Sequence, residues 1–186
     1  MREYKCLSKQ KYSIKEYQIV PIRHEDRYDI MKWRNEQIYH LRQSKPLDKS
    51  SQDYYFNNVI AKLFEKEKPD QILFSYLENG KCIGYGGLVH INWIDKNAEV
   101  SFIMNTDLEH EYFHKHWKIF LLLIEELSFI SISLHKIFVY AFDLRIKLYE
   151  VLESASSYEE ARLKEHSYFN NNFIDVLIYS KLNVIL

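Results

Sequence analysis

Glycine is nearly missing from this chain, and what there is sits in one place. The four glycines, Gly80, Gly84, Gly86 and Gly87, all fall in the run Tyr76-Leu-Glu-Asn-Gly-Lys-Cys-Ile-Gly-Tyr-Gly-Gly-Leu-Val-His90. Glycine tolerates positive φ and close backbone approach, so the cluster marks one hairpin and one irregular strand, and every other turn or ligand contact must be built without it. Cysteine is equally scarce: Cys6 and Cys82, far apart, make no disulfide framework and argue for a reducing compartment. Long apolar runs are lacking too. Residues 119–134 are the most apolar stretch, but Glu125 and Glu126 interrupt it, and it is too short and charged to span a bilayer. The opening residues Met-Arg-Glu-Tyr-Lys-Cys-Leu-Ser-Lys-Gln-Lys contain no apolar leader core, so secretion is not expected. A net charge of −1 offers no bulk attraction for nucleic acid or an anionic membrane, and no basic stripe compensates. These absences describe a cytoplasmic protein that meets any anionic ligand locally.

What is present suits one globular unit. The 186 residues, with 47% apolar and 27% charged side chains, can bury a single core. Aromatic content is high at 16%, and amphipathic tyrosine suits both cores and half-wet clefts. Residues 1–16 are polar and lysine-rich and read as a loosely held arm, with residues 17–186 as a single domain. A strand is predicted over residues 18–22 and a helix over 24–35, then a helix that begins at Ser50 and ends before Pro69. Residues 72–78, 81–91 and 98–105 read as an antiparallel meander, joined first by the Asn-Gly turn at Asn79-Gly80. A helix around residues 117–127 follows, then a fifth strand over 136–142, a helix over 143–153, and a terminal hairpin of residues 162–168 and 173–182. The plan is α+β, one sheet with helices on its faces. Gly84-x-Gly86-Gly87 superficially suggests a phosphate loop, but it lies inside a meander with no helix after it, so it reads as a bending strand.

Four ordered segments give the chain a family likeness: Ile19-Val-Pro-Ile-Arg-His-Glu-Asp26 leading to Trp33-Arg-Asn35; Ile83-Gly-Tyr-Gly-Gly-Leu88; Ala98-Glu-Val-Ser-Phe-Ile-Met104; and Leu148-Tyr-Glu150 with the strands after it. Together they resemble the GNAT superfamily of acyl-CoA N-acyltransferases, in the branch of Rim-type N-terminal acetyltransferases and nucleotide-amino-sugar N-acetyltransferases. The resemblance implies a largely antiparallel sheet splayed between the fourth strand (98–105) and the fifth (136–142), with acetyl-CoA as co-substrate. Glu99 would be the base that frees the amine nucleophile, or else an exposed strand carboxylate. Tyr149 would protonate the departing thiolate, or else be an ordinary helix aromatic. Phe102, Ile103, Met104 and Asn105 would offer backbone groups to the pantetheine arm. Trp33, Arg34 and Asn35, with Tyr85, would form the acceptor side: a stacking ring or a core residue, a phosphate fork or a solvated cation, and a partner for hydroxyls.

The coenzyme side departs from the family pattern. The family's diphosphate loop, R/Q-x-x-G-x-G/A, would fall on Glu111-Tyr-Phe-His-Lys-His116, which has no glycine. Tyr112, Phe113, His114, Lys115 and His116 remain the coenzyme-binding candidates there, through amides or side chains, joined by Asp143 after the fifth strand. The histidines nearby lack a carboxylate or cysteine at metal-ligand spacing, so no metal is expected. The expected function is acetyl transfer from acetyl-CoA to a primary amine on a small molecule, with a nucleotide-linked amino sugar preferred over a protein N-terminus. A non-catalytic module that has lost its coenzyme site is the competing reading. A homodimer is allowed; nucleic acid and membrane are not expected partners.

Overall fold

The computed structural model describes residues 2–41 and 43–184. The chain opens with a short hairpin of β1 (Tyr12–Ile14) and β2 (Tyr17–Pro21). One 3₁₀ turn leads into α1 (Arg27–Glu36). Helix α2 starts at Lys49–Tyr55 and continues through a π turn, Phe56–Ile60, to Ala61–Leu63. The meander follows as β3 (Ile72–Glu78), β4 (Lys81–Asn92) and β5 (Asn97–Met104). Then come α3 (Thr106–Glu125), β6 (Lys136–Phe142), α4 (Ile146–Ser154), β7 (Tyr158–Phe169) and β8 (Asn172–Leu182).

All eight strands form one sheet in the order β1-β2-β3-β4-β5-β6-β8-β7. Every pairing is antiparallel except β5 with β6, which run parallel and touch only at Asn97–Glu99 against Lys136–Phe138. The expected α+β architecture and its splay between the fourth and fifth predicted strands, now β5 and β6, are therefore observed. The core is aromatic: Phe102 of β5 stacks on Phe120 of α3 at 4.0 Å, and Tyr76 meets both edge-on. Burying each such ring contributes roughly 1.5–3 kcal/mol. Among the described residues no helix is long and apolar enough to cross a membrane.

Several boundaries differ from expectation for identifiable reasons. Residues 2–16 are not a loose arm: the Tyr4 hydroxyl donates to the Leu73 carbonyl and accepts from its amide, both at 2.9 Å, and its ring stacks on Phe64. Tyr12 is likewise fully buried. Two tyrosines hold a segment whose lysines face solvent. Helix α2 is capped by Asp48, whose carboxylate accepts from the Ser51 amide at 2.7 Å, rather than by Ser50. Helix α3 begins eleven residues before Trp117, where Asn105 caps the Asp107 amide at 3.1 Å; with no glycine or proline from there to Glu125, nothing interrupts it. Helix α4 starts at Ile146 and not at Asp143, and β7 starts at Tyr158.

The glycines hold the sheet's centre together by leaving space empty. A Cβ on Gly86 would lie 2.2 Å from the Ser101 carbonyl oxygen and 2.8 Å from the Phe120 ring. Strands β4 and β5 and helix α3 thus meet at a point that only hydrogen fills. Gly80, in the hairpin turn at φ +80°, has open space where a Cβ would go. Gly86→Ala is expected to cost about 1–3 kcal/mol or more through overpacking, and Gly80→Ala about 1 kcal/mol through its positive φ alone. Thermal unfolding should place the Gly86→Ala midpoint clearly below that of Gly80→Ala; the reverse order would contradict this packing.

Candidate active site

Beyond Glu99 and Phe138 the two parallel strands diverge, and a wedge-shaped cavity of about 480 Å³ opens between them. Its walls are Val100, Ser101, Phe102 and Ile103 on one side and Val139, Tyr140, Ala141 and Phe142 on the other, with Trp117 and Leu148 from the helices. A second cavity of about 450 Å³, walled by Tyr54, Tyr55, Phe56 and Tyr85, shares Arg34, Gln71, Val89 and Ser101 with the first. The strand cleft and an aromatic crevice against α1 and α2 therefore adjoin at these four residues.

Glu99 sits at the apex of the wedge. Its carboxylate is only 7% exposed and lies 2.8 Å from Nδ1 of His90, whose ring is 63% exposed. His90 is carried on the irregular end of β4, where the register against β5 shifts between Val89 and Asn92 and His90 adopts φ 50°. With the Nδ1 proton directed at Glu99, Nε2 is left as the acceptor. A buried carboxylate orienting a solvent-facing imidazole can serve as a base with its own positioning group. His90 was not singled out in the sequence; its only signal was a histidine at the end of the glycine-bearing strand, next to Val89, the cross-strand partner of Glu99.

Of the Trp33-Arg34-Asn35 motif only Arg34 reaches the cavities. Trp33 is 4% exposed and belongs to the core, so it offers no stacking face. Asn35 is used internally: its side chain donates to the Leu47 carbonyl at 2.8 Å and accepts from the Leu47 amide at 2.7 Å, pinning the loop before α2. Arg34 donates to the Tyr85 hydroxyl at 2.6 Å and to Gln43 at 3.0 Å, so Arg34 and Tyr85 stand together where the two cavities meet.

The coenzyme-side candidates separate in the same way. Phe102 and Ile103 line the cleft, but the Met104 carbonyl accepts from Gln37 at 2.8 Å and the Asn105 amide donates to Ile83 at 2.8 Å, so both are already committed. Residues 112–116 lie inside α3, not at its start, and their amides are spent on the helix. Phe113 and His116 are buried, His116 against the Tyr76 hydroxyl at 3.2 Å; Tyr112 is exposed, Lys115 lies over the Tyr17 ring, and His114 faces Glu150 at 3.3 Å. Burial holds the His116 imidazole below its ordinary range. Asp143 accepts from Arg162 at 2.7 Å and from the Tyr149 hydroxyl at 3.1 Å and is not part of the cleft wall. The Tyr149 hydroxyl is shared between Asp143 and the Phe142 carbonyl, its ring lies flat on Tyr179, and burial beside Asp143 pushes its pKa up. Tyr149 is not among the residues lining the cavity, and the raised pKa makes it a poorer acid. At the cleft's open end stand His40 and Arg145 instead, Arg145 reaching Glu109 of α3 and the His40 Nδ1. Among the described residues no three His, Cys, Asp or Glu side chains are grouped to hold a metal ion.

A family model described as an acetyltransferase (GNAT) domain matches residues 19–178. No curated protein matches the sequence. Among solved structures, the spermidine N-acetyltransferase of Vibrio cholerae in complex with CoA and spermine aligns over 91% of this chain and 97% of its own, with a TM-score of 0.77 and 19% identity. A dodecameric form of the Vibrio cholerae enzyme aligns over 91% and 95%, at TM-score 0.73 and 19% identity. A structure described as a probable acetyltransferase aligns over 91% and 94%, at TM-score 0.71 and 17% identity. At these identities the likeness is one of fold.

His40 generates a pH dependence. Burial, and then the neighbouring Arg145 charge, lower its pKa from 6.5 to about 3. The folded imidazole is thus neutral where the unfolded one takes up a proton, so its contribution to stability is complete above pH ~6.5 and is lost as the pH falls toward ~3. Wild type should lose roughly 2–3 kcal/mol from this source by pH ~4.5. In denaturant titrations His40→Gln should show a correspondingly flatter decline over that range; parallel profiles would show that His40 titrates alike in both states.

Proposed function

This chain belongs to the GNAT acetyltransferase family, and we propose that it acetylates the primary amine of a small acceptor bearing anionic or hydroxyl groups, a nucleotide-linked amino sugar being the class that fits best. The donor of the family, acetyl-CoA, supplies an activated thioester carbonyl. The wedge between β5 and β6 suits its slender arm, because the segments beyond Glu99 and Phe138 do not pair with each other and leave backbone groups along the cavity.

The carrying observation is the Glu99–His90 pair at the apex of that wedge. His90 Nε2 takes the proton as the amine attacks the carbonyl, forming the C–N bond while the C–S bond breaks. Glu99 keeps the imidazole in the required tautomer and balances the imidazolium. The imidazolium returns the proton to the departing sulfur, so the transfer closes without an outside acid or base.

The acceptor assignment rests on charge. Glu99 is the one carboxylate lining either cavity among the described residues, and it is committed to His90; the acceptor side carries the Arg34 guanidinium, tyrosines and amides. A polycation would meet a fixed positive charge there. A phosphate or carboxylate would find a planar fork, and a base or sugar ring would find Tyr54 and Tyr55.

Thiol release from acetyl-CoA, measured over a panel of nucleotide-linked amino sugars, polyamines and peptides with free N-termini, tests the assignment. The expected result is turnover with the first group, lost by at least about 10²-fold in His90→Ala and Glu99→Gln. Arg34→Gln should raise KM for the phosphorylated acceptor while leaving that for acetyl-CoA alone. Turnover of polyamines or peptides in preference would overturn the acceptor class, and full activity in His90→Ala would remove the base.

A further inference from the structure

Arg145 has no part in the chemistry described above, yet it occupies the wedge's open end. It directly precedes α4, and its side chain is only 12% exposed. The guanidinium lies 4.9 Å from the centre of the Phe113 ring, pairs with Glu109 of α3, and donates to His40 Nδ1 at 3.3 Å. Burial lowers its pKa, as expected for a cation held in a poorly hydrated site. Of the described basic residues that line the wedge, Arg34 belongs to the acceptor side and His90 to the apex, and burial keeps His40 neutral. Among the described residues Arg145 is therefore the permanent charge at the opposite end from Glu99. Residues 138–142 of β6, at ~3.3 Å per residue, separate that apex from the loop carrying Arg145 by the length scale of a pantetheine arm.

The backbone offers little at that end. Helix α3 is continuous from Thr106, its cap is occupied by Asn105, and its first turn carries Asp107 and Glu109. These acids are favourable for the helix and unfavourable for a bound anion.

We propose that Arg145 binds the diphosphate of coenzyme A, exchanging Glu109 for the phosphate oxygens when the coenzyme enters, so that one side chain does at the wedge's mouth what helix amides are not free to do. Arg145 is ordered by Phe113 and Glu109 before the ligand arrives, which limits the entropy lost on binding. Glu109 acts as a stand-in anion that weakens coenzyme binding while it keeps Arg145 in place. The inference rests on acetyl-CoA being the donor.

Calorimetric titration of the full chain with CoA, 4′-phosphopantetheine and pantetheine separates the parts of the ligand without requiring turnover. Arg145→Gln should weaken CoA binding roughly tenfold to hundredfold, the range for a lost charge-assisted hydrogen bond, and leave pantetheine unchanged. Arg145→Lys should fall between Arg145→Gln and wild type, since it keeps the charge and loses the fork. Glu109→Gln should bind CoA more tightly than wild type and pantetheine equally. Should Arg145→Gln fail to fold, the Lys and Glu109→Gln variants decide. Equal changes for CoA and pantetheine in the Arg145 variants, or CoA binding by Glu109→Gln no tighter than wild type, would overturn the assignment. If wild type binds pantetheine and CoA with the same affinity, no diphosphate site exists; if it binds neither, the donor reading itself fails.

Discussion

The molecule depends on three residue pairs between β5 and β6. Were those strands to pair along their whole length, the wedge would close and no cavity would separate Ser101 from Val139. Each strand is instead held by its other neighbour. β6 pairs with β8 from Lys136 through Phe142, and β5 is drawn onto β4 at glycines, where even a Cβ at Gly86 would collide with the Ser101 carbonyl. Two well-anchored half-sheets joined at one end must diverge if each keeps its own twist. The glycine cluster thus acts from the opposite edge of β5: it forms no ligand loop, but it fixes one wall of the cleft.

The same scarcity of glycine shapes the coenzyme end. A chain segment that must expose successive amides to an anion needs backbone freedom, and residues 105–118 have neither glycine nor proline. Good capping at Asn105 and acids in the first turn favour helix, so the segment becomes the first turns of α3 and its amides bond within it. On our proposal charge recognition then falls to a side chain, and a side chain in a poorly hydrated site needs a partner before its ligand comes. The Glu109–Arg145 pair is what that requirement looks like.

Legibility followed the range of the interactions. Strand limits at Ile72–Glu78 and Lys136–Phe142 were readable because alternation and turn residues are local, and the Asn79-Gly80 turn announced its hairpin. The α+β plan followed from element order, and the splay between two strands from the family resemblance. The start of α3 was misjudged because apolar periodicity becomes strong only near Trp117, while the helix is nucleated earlier by polar capping. Trp33 and Asn35 look like ligand residues in a list and turn out to be a core ring and a loop clamp, since nothing local distinguishes a tryptophan that packs from one that stacks. Glu99 was identifiable but its partner was not: His90 reaches it only through a register shift in β4. Arg145 was invisible for a related reason, as its meaning comes from Glu109, thirty-six residues earlier in the chain.

Fold likeness does not fix an acceptor, because acceptor choice is made by side chains beside the wedge. A TM-score of 0.77 with 19% identity means that the backbone path is kept while most side chains have changed. Acceptor choice lies in those side chains. Discriminating a cation from an anion takes little more than the sign of one desolvated charge, because like charges brought together in a poorly hydrated cavity cost more than most contacts return. Arg34 supplies that sign. It is anchored by Tyr85 and Gln43, and no carboxylate lines the aromatic crevice among the described residues to neutralise it. On our proposal a fixed cation beside the wedge selects the acceptor, while the cleft between β5 and β6 is left to the donor.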